Sequence, residues 1–317
     1  MSLTNQLQDK NSPVRQFFTE FEKKDGTKNC LALLQSTTPI RPLSFTPSSK
    51  AVYTFMGTTT DYLIRYTANG NALHFENTIA SEALGFRALL KGASGEIIQH
   101  LESLFKIGKQ NLDGRNASDY EAIYSATALA IMDNFFRSGL LPELFRESIQ
   151  KHSGRSLKEK ITNDLFSKYF AILGGDQYAQ DISELIRLFV KARKDPGSEL
   201  FDAKFVVNNQ ALGNSELVEG ADFDCVIETK NSLVLTDIKT TTKPLTIGHL
   251  RQIIGYALLY DDKKDNFKFT HIGIYHSRSG SFRSLPIDSV IEMTMAGFKS
   301  VGAARKAFIA AVQKLHR

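Results

Sequence analysis

Cysteine is nearly absent: Cys30 and Cys225 are the only two in 317 residues. That is too few for a disulfide framework, a four-cysteine structural zinc site or an iron–sulfur cluster, and it fits a reducing compartment. The chain has no uninterrupted apolar run of about 18–20 residues, no cationic-then-apolar segment at its start and no lipidation motif, so no membrane contact and a cytoplasmic location are expected. A phosphate-cradling Walker loop, a dinucleotide fingerprint, His-Glu-x-x-His and G-x-S-x-G are all missing as well. The absence of a motor motif means that any unwinding must come from elsewhere.

What is present is the composition of a folded protein. Hydrophobic residues make up 42% and charged residues 23%, which excludes large-scale disorder, and the length accommodates one large domain or two. The net charge of +5 and pI near 9.0 permit a polyanionic partner without requiring one.

Four of the eight prolines, Pro13, Pro39, Pro42 and Pro47, fall in a polar stretch over residues 1–50, which reads as an irregular lead-in. Residues 51–180 read as a helical region, with apolar residues at three- and four-residue spacings in Glu96–Ile107, Asp119–Arg137 and Leu157–Leu173. The stripe of Tyr120, Ile123, Tyr124, Thr127, Ile131 and Phe135 is expected to be core. Gly114, Gly139, Gly154 and the Gly174-Gly175 pair punctuate these helices. The boundary is placed at Gly174–Asp181, where Asp181 and Glu184 have the spacing of a capping box opening a new helix. Beyond it, in residues 181–317, the patterns read helix, three strands, helix, strand, then a last helix over Met293–Leu315 with Lys299, Arg305, Lys306, Lys314 and Arg317 as a basic complement.

The richest segment lies inside that region. Asp222–Glu228 and Leu233–Lys239 alternate and are rich in β-branched residues around the polar break Thr229-Lys230-Asn231-Ser232, a hairpin signal. If Lys230 and Asn231 form a two-residue turn, paired positions sum to 461, so Asp224 opposes Asp237 and Asp222 opposes Lys239, all on one face. Directly opposed like charges are destabilising. A divalent cation, a shared proton or solvent exposure must offset them, and oxygen-only ligands suit magnesium or manganese. Lys239, two residues along from Asp237, stands where it can hold a water or a phosphate oxygen.

With this order of elements, Asp224, Asp237-Ile238-Lys239 and, on the next helix, Gln252-Ile-Ile-Gly-Tyr256, the chain resembles the PD-(D/E)xK nuclease superfamily in its RecB-type exonuclease-like branch, over roughly residues 181–317. The resemblance implies an α/β fold: a restriction-endonuclease-like αβββαβ core with a mixed sheet, preceded here by the helical region. It implies a divalent-metal-dependent deoxyribonuclease in which Asp224, Asp237 and the Ile238 carbonyl hold Mg²⁺ or Mn²⁺, Lys239 orients the attacking water, and Gln252 and Tyr256 touch the scissile strand or order the metal shell. Glu184 would be the further carboxylate that many members contribute from the preceding helix; capping is its other reading. Asp222 is an outer partner of Lys239 or a substitute for Asp224. Where the branch carries an upstream metal-ligating histidine, this chain has Asp61, which is either a ligand or an exposed residue at a helix start. His249 is expected to cap its helix. DNA is the implied partner, with RNA also open, and the helical region can dock a protein. A role in defence against foreign DNA or in repair suits such a nuclease. A catalytically silent nucleic-acid-binding or partner-docking module is the alternative.

Overall fold

The computed structural model describes residues 2–85, 95–114, 117–152 and 159–313. Gly154, Leu157, Lys314, Leu315 and Arg317 of the sequence reading lie outside them. The architecture is α/β: a five-stranded mixed sheet follows a helical N-terminal region, with thirteen α-helices among the described residues. None of these helices is long and apolar enough to cross a membrane. The chain divides into two compact units, Arg41–Val190 on the one hand and Met1–Ile40 with Lys191–Arg317 on the other.

The expected irregular lead-in is instead three helices, α1 (Leu3–Gln8), α2 (Pro13–Phe21) and α3 (Lys24–Leu34). Pro13 does not break α2; it starts it. Proline in a first helical turn forfeits no hydrogen bond, and the Ser12 hydroxyl accepts from the Arg15 amide to complete the cap. Leu3, Leu7, Val14, Phe17, Phe18, Cys30 and Leu34 are buried in the core that also covers the sheet. Residues 1–40 therefore belong to the sheet unit.

The helical unit runs through α4 (Lys50–Ala68), α5 (Ile79–Leu84), α6 (Gly95–Gln110), α7 (Asp119–Ser138), α8 (Glu143–His152), α9 (Glu159–Leu173) and α10 (Gly175–Lys194). Helix α7 is its axis. Ser118 and Glu121 form a reciprocal capping box at its start, and Gly139, at φ 75°, ends it in the left-handed region. Ile123, Thr127, Ile131 and Phe135 are buried as expected, while Tyr120 stays exposed. A helix does begin within the expected Gly174–Asp181 boundary, but at its very start, and the division between the two units falls further on, after Val190. Helix α10 already begins at Gly175, and Asp181 is fully buried, its carboxylate accepting from the amide and hydroxyl of Ser44. A buried acceptor bound from another segment looks, in sequence, like an N-cap.

The sheet unit adds β1 (Lys204–Ala211), β2 (Asp222–Glu228), β3 (Leu233–Lys239), α11 (Ile247–Leu259), β4 (His271–His276), β5 (Ser281–Pro286), α12 (Ile287–Thr294) and α13 (Val301–Gln313). Spatial order equals chain order; β3 and β4 are parallel and the other neighbours antiparallel. A parallel pair needs a crossover, which α11 supplies. Strand β5 was not expected, because Ser281-Phe-Arg-Ser-Leu-Pro286 buries only Phe282 and reads as polar turn. The single last helix is likewise two. Met295 leaves α12 to bridge Glu22, Gly297 turns at φ 83°, and Asp288 accepts the amide of Val301 at 2.7 Å to start α13.

Candidate functional site

The β2–β3 ladder pairs Cys225 with Thr236, Val226 with Leu235, Ile227 with Val234 and Glu228 with Leu233. This is the register read from the alternation, and its next step opposes Asp224 to Asp237. The ladder stops one pair short of them. Beyond Cys225, β2 stays with β1, Asp222 opposite Ala211, whereas β3 stays with β4 through Lys239 opposite His276. The sheet forks just before the position at which that register would oppose Asp224 to Asp237. Across the gap the Asp224 Oδ2 accepts the Ile238 amide at 2.6 Å, so a side chain takes over a contact the backbone ladder no longer makes. The predicted Asp222–Lys239 opposition lies past the fork and is not part of the ladder.

Lys239 turns along its own strand. Its Nζ lies 2.7 Å from Asp237 Oδ2, as expected of residues two apart on one face, and it donates to Gln252 Oε1 at 3.0 Å. Gln252 Nε2 donates in turn to the Tyr256 hydroxyl at 2.8 Å, four residues along α11. Asp237, Lys239, Gln252 and Tyr256 thus form one continuous polar chain from β3 onto α11. Asp237 is 2% exposed and Tyr256 6%, so its ends are sunk in the protein, and Lys239 is the charge that makes the burial of Asp237 tolerable.

His249 caps its helix as expected: its amide donates to the Thr246 hydroxyl and its Nδ1 accepts the Thr246 amide at 3.2 Å. Burial, together with the charges of Lys239 and His276, pulls its imidazole down from 6.5 to about 4, so it is neutral around pH 7.

Three residues beside this chain gave no signal in the sequence. Ser277, just past β4, donates its amide to the Lys239 carbonyl at 3.0 Å and its hydroxyl to the same oxygen at 3.2 Å. Arg278, 2% exposed, donates Nε to the Thr240 carbonyl at 3.0 Å. His276 Nε2 meets the Leu34 carbonyl at 2.9 Å, which ties the end of α3 to the end of β4. Ser277-Arg-Ser-Gly-Ser281 reads as an ordinary turn; only the parallel pairing of β4 with β3 makes it a neighbour of Lys239.

Glu184 and Asp61 belong to the helical unit. Glu184 lies within α10 rather than in its first turn, and its carboxylate takes Arg41 at 2.7 Å and Arg187. Asp61 is in the interior of α4, not at a helix start, and pairs with the buried Arg65 one turn on. Among the described residues no group of three or more His, Cys, Asp or Glu side chains gathers around one point. A cavity of about 1010 Å³ opens elsewhere in the sheet unit, around Glu199, Lys204, Glu228, Asn231 and His271, and no member of the polar chain lines it.

No family model matches this chain, and no curated protein matches it.

Proposed function

We propose that this chain is a divalent-metal-dependent nuclease that hydrolyses phosphodiester bonds in DNA, built on a PD-(D/E)xK-type core. The observation that carries the reading is the fork in the sheet: two strands part where Asp224 and Asp237 would face each other, beside a lysine tied to Gln252 and Tyr256 in the order that motif family uses.

The donor set suits a hard cation. Asp224 and Asp237 offer carboxylate oxygens, and each carboxylate has lone-pair sites for more than one partner. Magnesium is commonly held by one or two carboxylates, with substrate phosphate and water completing its shell, which two aspartates satisfy. When bound, such an ion supplies Lewis acidity to a phosphoryl oxygen and lowers the pKa of a water. Asp237 holds Lys239 in place, and Gln252 fixes its second contact. An ammonium has three donors, more than the one that Gln252 Oε1 accepts, so Lys239 can also meet a water or a phosphate oxygen, where its charge stabilises negative charge growing in the transition state. Neutral His249 adds no second cation that would compete with Lys239 for that oxygen.

The test is hydrolysis of linear, circular and single-stranded DNA and of RNA with Mg²⁺ or Mn²⁺, against a chelator control, for the wild type, Asp224→Asn and Asp237→Asn. Cleavage of DNA that needs the metal and both aspartates supports the reading. Undiminished cleavage by Asp237→Asn overturns it, and binding without cleavage by every form points instead to a silent nuclease-like module.

A further inference from the structure

Arg251 and Gln252 are consecutive on α11, about 100° apart around its axis, so whatever fixes the azimuth of one fixes the other. Gln252 faces Lys239. Arg251 faces away and is 7% exposed, its Nε donating to Glu22 Oε1 at 3.0 Å and its Nη2 to Oε2 at 2.7 Å. This two-pronged geometry is directional in a way that a lysine–carboxylate pair is not.

Glu22 is itself firmly seated. It lies just past α2 in a backbone bridge with Met295, between the Ala296 amide to Phe21 carbonyl bond at 2.6 Å and the Lys23 amide to Thr294 carbonyl bond at 2.8 Å. The same N-terminal segment holds α11 at two other points. Gln35 Oε1 accepts the Leu245 amide at 2.7 Å ahead of the helix, and Leu3 packs against Gly255, where an added Cβ would come within 3.0 Å of its methyl. Residues 1–40 thus hold the chain at Leu245 ahead of α11, at Arg251 just before Gln252 and at Gly255 inside the Gln252–Tyr256 turn.

We infer that Glu22 is a positioning residue: through Arg251 it sets the rotation of α11 that brings Gln252 onto Lys239. The inference rests on the nuclease reading only for its consequence for cleavage; the geometry it asserts can be measured without any substrate.

The experiment follows the labelling rate of Lys239 by a small amine-reactive reagent, read by mass spectrometry on the full chain, in wild type, Glu22→Gln, Gln252→Ala and the double variant. Glu22→Gln should raise the rate severalfold, as Gln252→Ala does, and the double variant should label no faster than Gln252→Ala, because the two substitutions break one linkage. Where DNA cleavage is observed, Glu22→Gln should lower kcat roughly 10- to 100-fold with little change in KM, the cost of a misplaced catalytic contact. Arg251→Lys, which keeps the charge and gives up the fork, should repeat the pattern, and it carries the test if Glu22→Gln does not fold. A Lys239 rate unchanged in a folded Glu22 or Arg251 variant, or additive effects in the double variant, overturns the inference. Linked labelling in a protein that cleaves nothing would keep the positioning and remove the nuclease reading; cleavage without the linkage would do the reverse.

Discussion

Charge is buried in two ways, one illustrated in each unit. In the helical unit Arg65 closes on Asp61 and Asp133 on Arg137, each one turn apart on a single helix. In the sheet unit one run extends through successive partners, Asp237 to Lys239 to Gln252 to Tyr256, from a strand onto a helix. A closed local pair stabilises its own helix and has little further effect. An extended chain beginning at a fork in a sheet holds groups in a fixed relation that folding alone does not require, since an apolar core of the same shape would be as stable or more so. The difference separates structural charges from those we assign to chemistry.

The sharpest way to break this comparison is to remove one charge from each. Asp237→Asn should lower metal-dependent DNA cleavage roughly 10²–10³-fold or more, the scale of losing one transition-state contact, while circular dichroism shows an unchanged fold. Arg65→Met should leave cleavage per folded molecule as it was and instead reduce unfolding free energy by about 3–5 kcal/mol in urea titration, because it takes the guanidinium charge away from the largely buried Asp61 carboxylate. Equal effects of the two variants on cleavage would erase the distinction.

A smaller effect sharpens the composition of the sheet unit. A Cβ on Gly26 of α3 would lie 1.8 Å from the backbone carbonyl oxygen of Met293 in α12, an atom that cannot swing away. Gly26→Ala should therefore cost about 1–3 kcal/mol, the usual range for overpacking, and lower the melting temperature. An unchanged melting temperature would mean that residues 1–40 are not part of this core.

The smallest effect concerns pH. Because the folded-state pKa of His249 is pulled from 6.5 to about 4, the native protein binds fewer protons than the unfolded chain between those values. Its contribution to stability is thus full above about pH 6.5 and is lost as pH falls toward 4. His249→Gln keeps a residue able to complete the capping box and removes the titration. Its urea midpoint should fall less steeply than that of the wild type across this window, and parallel curves would refute the assignment.

The sequence makes legible what depends on strict alternation. The register of β2 on β3 from Cys225 to Glu228, the closeness of Asp237 and Lys239, and the Gln252–Tyr256 pair follow from periods of two and of about four, and the ladder and side-chain contacts carry the same spacings. Three things escape it. Prolines read as breakers hid α2, since a proline at a helix start is local chemistry that composition does not distinguish. Strand β5, with Phe282 as its one buried residue among Ser, Arg, Ser and Pro, has no sustained apolar alternation. Asp181 satisfies a capping pattern yet is held by Ser44, a partner 137 positions earlier in the chain. Ser277, Arg278, Glu22 and Arg251 become neighbours of the site only through long-range pairing, which no local pattern encodes.

The sheet unit is discontinuous in the chain: its first helices are synthesised, then about 150 residues of the helical unit, and only then its strands. At translation speeds of about 5–20 residues per second, the apolar faces of α1–α3 wait roughly 8–30 s for the surfaces that cover them. Val14, Phe17 and Phe18 are accordingly made well before the strands that bury them, so this part of the core closes only once residues 191–317 have followed.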